Sequence, residues 1–249
     1  RRMSVPGTRG IHRVTWNLRG IPAAAPAPQP TAGRGAEPIS EEVSQFQAML
    51  SGGSLVPPGT YQISLARRAE GSVTPLSTEQ TIAVQAEPHV TAKATDRTAA
   101  LEYQQKVIKL QRAFDGALEL ANNCKTRITA IRRALIDSPA DLKLINEAVN
   151  LDRRVTGILR AFRGDETLRG LESGAPSTIS SRVNSAAAGA RGLAGAPTGT
   201  QEINYRVAFE ELSDQMPKLK ALEADLKKFE QQLDAAGVPY TPGRQPEIR

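Results

Sequence analysis

The chain has 249 residues, 23% of them charged, 39% hydrophobic and 4% aromatic, and carries a net charge of +6. That length and balance suit one large domain or two modest ones with genuine cores, and exclude a wholly disordered chain. No apolar run approaches the roughly 20 residues of a membrane-spanning helix, no signal-peptide pattern opens the chain, and the single cysteine, Cys124, excludes an internal disulfide or a cysteine-based zinc site.

The start Arg1-Arg2-Met3, with a strand-like run almost at once, reads as the C-terminal part of a longer polypeptide. From Ile11 to Leu18, His12, Val14, Trp16 and Leu18 alternate with Arg13, Thr15, Asn17 and Arg19, the period of a half-buried strand anchored by Trp16. Residues 20–58 form a long Pro/Gly-rich loop, broken at Ser40 to Leu50 by helical spacing of Val43, Phe46 and Leu50. Val56-Pro57-Pro58-Gly59-Thr60-Tyr61 then turns into a second strand, with Tyr61, Ile63 and Leu65 on one face. A third strand is expected at about Thr81 to Ala86. Three strands make a thin sheet with an open edge, which something else must complete.

After Pro88 the period becomes helical. Tyr103, Val107, Leu110, Phe114, Ala117, Ala121, Cys124, Ile128, Ile131 and Leu135 are spaced alternately four and three apart, an unbroken apolar seam. Ser138-Pro139 is expected to cap and start the next helix, whose face carries Ile145, Ala148, Leu151, Val155, Ile158 and Phe162. So short a connection makes the two helices antiparallel. A third helix shows a small-residue seam of Ile179, Val183, Ala186 and Ala190. The last is expected to bury Tyr205, Phe209, Leu212, Met216, Leu219, Leu222, Leu226, Phe229 and Leu233, to kink at Pro217 and to stop at Gly237.

The expected fold is therefore α+β, a small incomplete antiparallel β-sandwich-like module followed by an antiparallel α-helical bundle. Residues 1–92 form the β module with its 20–58 loop, residues 93–238 the bundle, with helices at about 96–137, 139–168, 177–190 and 201–235, and residues 239–249 a tail.

Nothing in the sequence converges on chemistry, so no catalytic, cofactor-binding or metal-binding residue is assigned and no cofactor is implied. His12 and His89 stand on strand-like segments without acidic or cysteine partners at ligand spacing. Cys124 lies on the seam between Ala121 and Ile128, the place of a buried thiol rather than a nucleophile. Gly189 to Thr200 has the glycines of a phosphate loop without its lysine. Glu119, Asp141, Asp165 and Glu166 sit among Arg and Lys as surface ion pairs do. Charge is spread evenly, with nine basic and six acidic residues before Thr95 and 23 and 20 from there on. The doublets Arg67-Arg68, Arg132-Arg133, Arg153-Arg154 and Lys227-Lys228 have no aromatic residues interleaved, which argues against nucleic acid as a partner.

The stretches Ile11-His12-Arg13-Val14-Thr15-Trp16-Asn17-Leu18-Arg19 and Val56-Pro57-Pro58-Gly59-Thr60-Tyr61-Gln62-Ile63-Ser64-Leu65 resemble the later strands of the FlgD-like, immunoglobulin-type module. With Ala86-Glu87-Pro88-His89-Val90 and a helical tail ending Ala235-Ala236-Gly237-Val238-Pro239, nearly the whole chain resembles the C-terminal end of large exported bacterial proteins. These carry sortilin-like (VPS10-type) or BNR-repeat β-propellers, often labelled glycosyl hydrolase. The resemblance implies a secreted or periplasmic location and a non-catalytic accessory region, its β module packed on the preceding domain of the same polypeptide or another protein chain and its helical tail serving docking or assembly, with ligand and hydrolytic residues in the propeller. A second reading makes the chain the end of a glycosidase-like hydrolase whose active site lies upstream. A third, a basic helical module for nucleic acid or anionic lipid, predicts binding that weakens steeply with salt.

Overall fold

The computed structural model describes residues 2–3, 7–21, 53, 55–69, 71–86, 93–136, 138, 140–165, 177–191 and 195–244. Among these the chain is α+β, with a small β module followed by helices. It divides into two compact units, residues 1–105 with 190–197, and residues 106–189 with 198–249.

In the first unit, β1 (Gly59–Ile63) pairs antiparallel with β4 (Gln80–Val84), and β2 (Ala66–Ala69) with β3 (Ser72–Pro75). The two pairs are successive parts of one hairpin. Its inner turn closes at Gly71, whose φ of 81° is one that side chains disfavour. Between the pairs, Ser64-Leu65 on one arm oppose the longer run Leu76 to Glu79 on the other, so the register slips by two residues. Leu76 N–H donates to the Leu65 carbonyl at 2.8 Å and Leu65 N–H to Ser77 Oγ at 3.2 Å, which hold this bulge together. Pairing places Tyr61 opposite Ile82 and Gly59 opposite Val84, so Tyr61, Ile63, Ile82 and Val84 share one face and Thr60, Gln62, Thr81 and Ala83 the other.

The strand expected at Ile11 to Leu18 is not formed. Leu18 adopts φ 54°, a left-handed turn that no continuous strand contains, and no described segment lies beside residues 11–16 to complete a ladder. Only the end of this run is paired: Arg19 bridges Leu55, Val56 N–H donates to the Leu18 carbonyl at 2.8 Å, and Gly53 N–H to that of Gly20 at 3.3 Å. A side chain at Gly53 would meet the Ile21 carbonyl oxygen at 2.3 Å, so this crossing requires glycine. The helical spacing at Ser40 to Leu50 lies outside the described residues.

The helices are α1 (Ala94–Ile136), α2 (Leu142–Arg163), α3 (Ile179–Arg191) and α4 (Gly199–Ala235). Every residue of the α1 seam, Tyr103 to Leu135, is buried. Ser138 does not start α2. Its N–H and hydroxyl both turn back to the Leu135 carbonyl and close α1, while Asp141 accepts from Lys143 N–H at 2.9 Å and caps α2. The carboxylate is the better cap because its charge faces the positive end of the helix. Gly164 at φ 83° ends α2.

A reciprocal capping box opens α4. Thr198 N–H donates to Gln201 Oε1 at 2.8 Å and Gln201 N–H to Thr198 Oγ1 at 3.4 Å. The helix continues through Pro217, whose ring and the neighbouring Ser213 are both exposed, so water can serve the Ser213 carbonyl that proline leaves without a donor. Gly237 at φ 68° ends it, with Val238 N–H on the Leu233 carbonyl at 3.1 Å and Gly237 N–H on that of Asp234 at 3.3 Å.

Within the second unit, α1 and α2 run antiparallel, joined by Lys125 and Arg132 on the two oxygens of Asp152 and by the edge-on rings of Phe114 and Phe162, 5.6 Å apart. Arg154 on Asp225 sets α2 antiparallel to the second half of α4, and Arg182 facing Glu211 sets α3 against its first half. The result is three rods, of which the third is α2 and α3 in succession. Residues of all four helices share one apolar core. The buried line on α4 is Ala208, Leu212, Leu219, Leu222, Leu226, Phe229 and Leu233, with Tyr205 and Gln215 half-buried; Phe209 and Met216, expected inside, are exposed.

Candidate functional surface

The residues weighed for chemistry fall apart in space or into packing. His12 is exposed and donates from Nε2 to the Thr8 carbonyl at 2.7 Å. His89 and Glu166 lie outside the described residues. Glu119 is exposed, Asp141 is a helix cap and Asp165 pairs with Arg160 at 2.9 Å. Of the doublets, Arg67-Arg68, Arg132-Arg133 and Lys227-Lys228 are exposed, and Arg154 serves an interhelical ion pair. Among the described residues no group of three or more His, Cys, Asp or Glu could hold a metal ion, and no helix is long and apolar enough to cross a membrane.

Cys124 is fully buried in the α1 seam, and desolvation pushes its thiol above the ordinary range, away from the reactive thiolate. A chromogenic thiol reagent is therefore expected to leave the native chain unlabelled and to label Cys124 in concentrated guanidinium. Fast labelling of the native chain would contradict the buried seam.

Burial also raises the Asp115 carboxyl above its usual range. A carboxyl whose folded value lies above its unfolded one costs stability as pH rises through that folded value, and costs nothing once both states are protonated. Asp115→Asn is thus expected to raise the melting temperature near pH 7 and to lose that advantage near about pH 3. An equal gain at both pH values in thermal melts would show that the ionised carboxylate is not the cause.

Two further features were not visible as sites in the sequence. One is an open groove of about 570 Å³ lined by Arg154, Gly157, Ile158 and Ala161 of α2 and Gln215, Lys218 and Ala221 of α4. Small residues, Gly157, Ala161 and Ala221, line much of it, and its ionisable groups are Arg154 and Lys218, with no carboxylate, histidine or cysteine in the lining. The other is the strap 238–244. Arg244 reaches back to Asp234 and donates to the Pro239 carbonyl at 2.9 Å, with its guanidinium 5.1 Å from the Tyr240 ring centre. Gly243, at φ 92°, lies where a side chain would touch the Arg127 stem at 3.0 Å. The strap is structural.

Within it, Thr241 Oγ1 and Arg244 Nε are buried without a hydrogen-bond partner among the described residues. A buried hydroxyl in that state costs its desolvation, so Thr241→Val is expected to hold or raise stability by up to about 1 kcal/mol. A clear loss in chemical denaturation would mean that the hydroxyl is satisfied in solution.

What distinguishes the molecule is the β module's surface. Not one residue of β1 to β4 is buried. Ile11, Val14, Leu18, Ile21, Leu55, Ile63, Leu65, Val73 and Leu76 are all exposed, and Ile11 is as open as in a free peptide, at 103%. Trp16 is half-buried, its ring edge-on to Tyr61 at 5.4 Å and its Nε1–H on the Arg19 carbonyl at 3.0 Å. The signal for this surface was present in the sequence as an incomplete sheet. Compared with protein-family models, with curated proteins and with solved structures, the chain matches none.

Proposed function

We propose that this chain is a non-catalytic docking region, in which the β module seats on another domain and the helical bundle forms a second compact unit. The observation that carries the reading is a module without a single buried strand residue, with Ile63, Leu65, Val73 and Leu76 exposed. Exposed apolar patches of this kind mark interaction surfaces, because leaving them in water forfeits about 25 cal/mol per Å². A two-stranded hairpin is also marginal by itself. The partner proposed is the preceding domain of the same polypeptide or another protein chain. The sequence resemblance supports placing that polypeptide among exported bacterial proteins with a sortilin-like or BNR-repeat propeller, in a secreted or periplasmic setting.

Hydroxyl-radical footprinting tests this. In the chain alone, Tyr61, Ile63, Leu65, Val73 and Leu76 are expected to oxidise readily. In the native polypeptide purified from its source they are expected to be protected several-fold. Equal oxidation in the two preparations would overturn the docking role.

A further inference from the structure

We infer that the helical bundle is hinged, its two ends forming blocks that bend relative to one another at the level of Gly116, Gly164 and Pro217. These residues come from the three rods, and two contacts put them at one height. Phe114 meets Phe162 across α1 and α2, so Gly116 and Gly164, each two residues further along, lie within about a turn of that contact. Arg154 pairs with Asp225 across α2 and α4. From that pair Phe162 is eight residues along α2 and Pro217 eight residues back along its antiparallel neighbour, about 12 Å in each case, which brings Pro217 to the level of Phe162. The groove agrees, since Ala161 lines it together with Gln215 and Lys218.

Each rod is weak at this level in its own way. Gly116 is an exposed glycine in the interior of α1, and a methyl group there would meet nothing within 4 Å, so packing does not require it. Glycine leaves a helix backbone freer than alanine does. The third rod is interrupted. A side chain at Gly164, where α2 ends, would touch Thr178 Cγ2, just before α3, at 3.0 Å, yet among the described residues no backbone hydrogen bond joins the two helices. In α4, Pro217 removes the donor that the Ser213 carbonyl would use, and the Ser213 hydroxyl donates to the Phe209 carbonyl at 2.7 Å, a contact that bends helices.

Polar contacts divide at the same place. On one side Arg182 faces Glu211; on the other, Lys125 and Arg132 hold Asp152, Arg154 holds Asp225 and Arg127 holds Glu230. Among the described residues no ion pair between helices crosses the level. The apolar core does run through it, so the blocks bend without parting. A close-packed interior resists compression, but the open groove along α2 and α4 lies beside the hinge and leaves room for a bend towards that side. The hinge thereby sets the width of the groove.

Collective hinge motion falls in the microsecond-to-millisecond range, which relaxation dispersion reads. In the full chain, deuterated and isotopically labelled, the amides of residues 112–118, 160–164 and 213–220 are expected to disperse with one shared rate constant. Combining Gly116→Ala with Pro217→Ala is expected to reduce that dispersion several-fold while holding or raising the melting temperature. The control is Gly157→Ala, at another exposed helix glycine where a methyl group meets nothing within 4 Å. It should stabilise the bundle and leave the dispersion unchanged. Flat profiles in the unaltered chain, unrelated rates in the three segments, or dispersion that survives the double variant would each overturn the hinge. Equal quenching by Gly157→Ala would do so too, because the motion would then be a general loosening of the helices.

Discussion

Phe162→Ala is expected to lower the free energy of unfolding by about 3–5 kcal/mol. Phe162 is fully buried near the end of α2 and meets Phe114 of α1 edge-on at 5.6 Å. Truncation removes the transfer energy of the ring and leaves a cavity that two facing helices cannot close. It also removes an aromatic pair worth about 0.5–1.5 kcal/mol beyond its area. Phe162→Leu keeps most of the volume and should lose about half as much. Guanidinium denaturation of the three proteins checks this, and a loss below about 1 kcal/mol for the alanine variant would mean that this end of the bundle is loosely packed.

The second large effect is electrostatic. Arg127 of α1 grips Glu230 of α4 with Nε and Nη2 on the two carboxylate oxygens, the Nε contact at 3.0 Å, and the glutamate side chain is 11% exposed. The pair itself contributes little net stability, since both charges lose solvation to form it. Breaking it is another matter. Arg127→Met strands a buried carboxylate and strips the stem on which Gly243 of the strap rests, and should cost about 3 kcal/mol at neutral pH. The double variant Arg127→Met with Glu230→Met is expected to recover most of that loss. Failure to recover would show that the pair holds a geometry that apolar side chains cannot replace.

Local periodicity made the bundle legible. All ten α1 seam residues are buried because a long run of alternating four and three spacings admits one phase. On α4 the more apolar residues and the regular spacing disagree at two places, Phe209 and Met216, and the spacing is what the structure follows. Keeping the alternation strict gives Tyr205, Ala208, Leu212, Gln215, Leu219 and Leu222, with Phe209 at 51% and Met216 at 41% exposure outside it. Gln215 lines the open groove together with Gly157 and Ala161, so that position needs no apolar side chain.

The β module was legible only in part, since pairing is not local. Gly59 to Leu65 was recognisable by its turn and alternation, whereas Ala66-Arg67-Arg68-Ala69 has no apolar alternation and forms β2 only because β3 lies beside it. Ile11 to Leu18 has the reverse character: the pattern of a strand, and no neighbour among the described residues to make it one. As for the surface, apolar residues at strand spacing predict that a face will be covered, and nothing in one chain's pattern names what covers it.

The division of the third rod into α2 and α3 has a consequence for how the protein opens. α2 brings Leu151, Val155, Ile158 and Phe162 to the core, whereas the buried side chains of α3 beyond Ile179 and Val183 are the alanines Ala186, Ala187 and Ala190. A rod in two pieces does not have to be lost in one event. The α3 segment, with fewer buried methylene groups per residue, should detach at a lower free energy than α2 and expose the first half of α4 while its second half stays folded. Native-state exchange would then show two cooperative units along one continuous 37-residue helix.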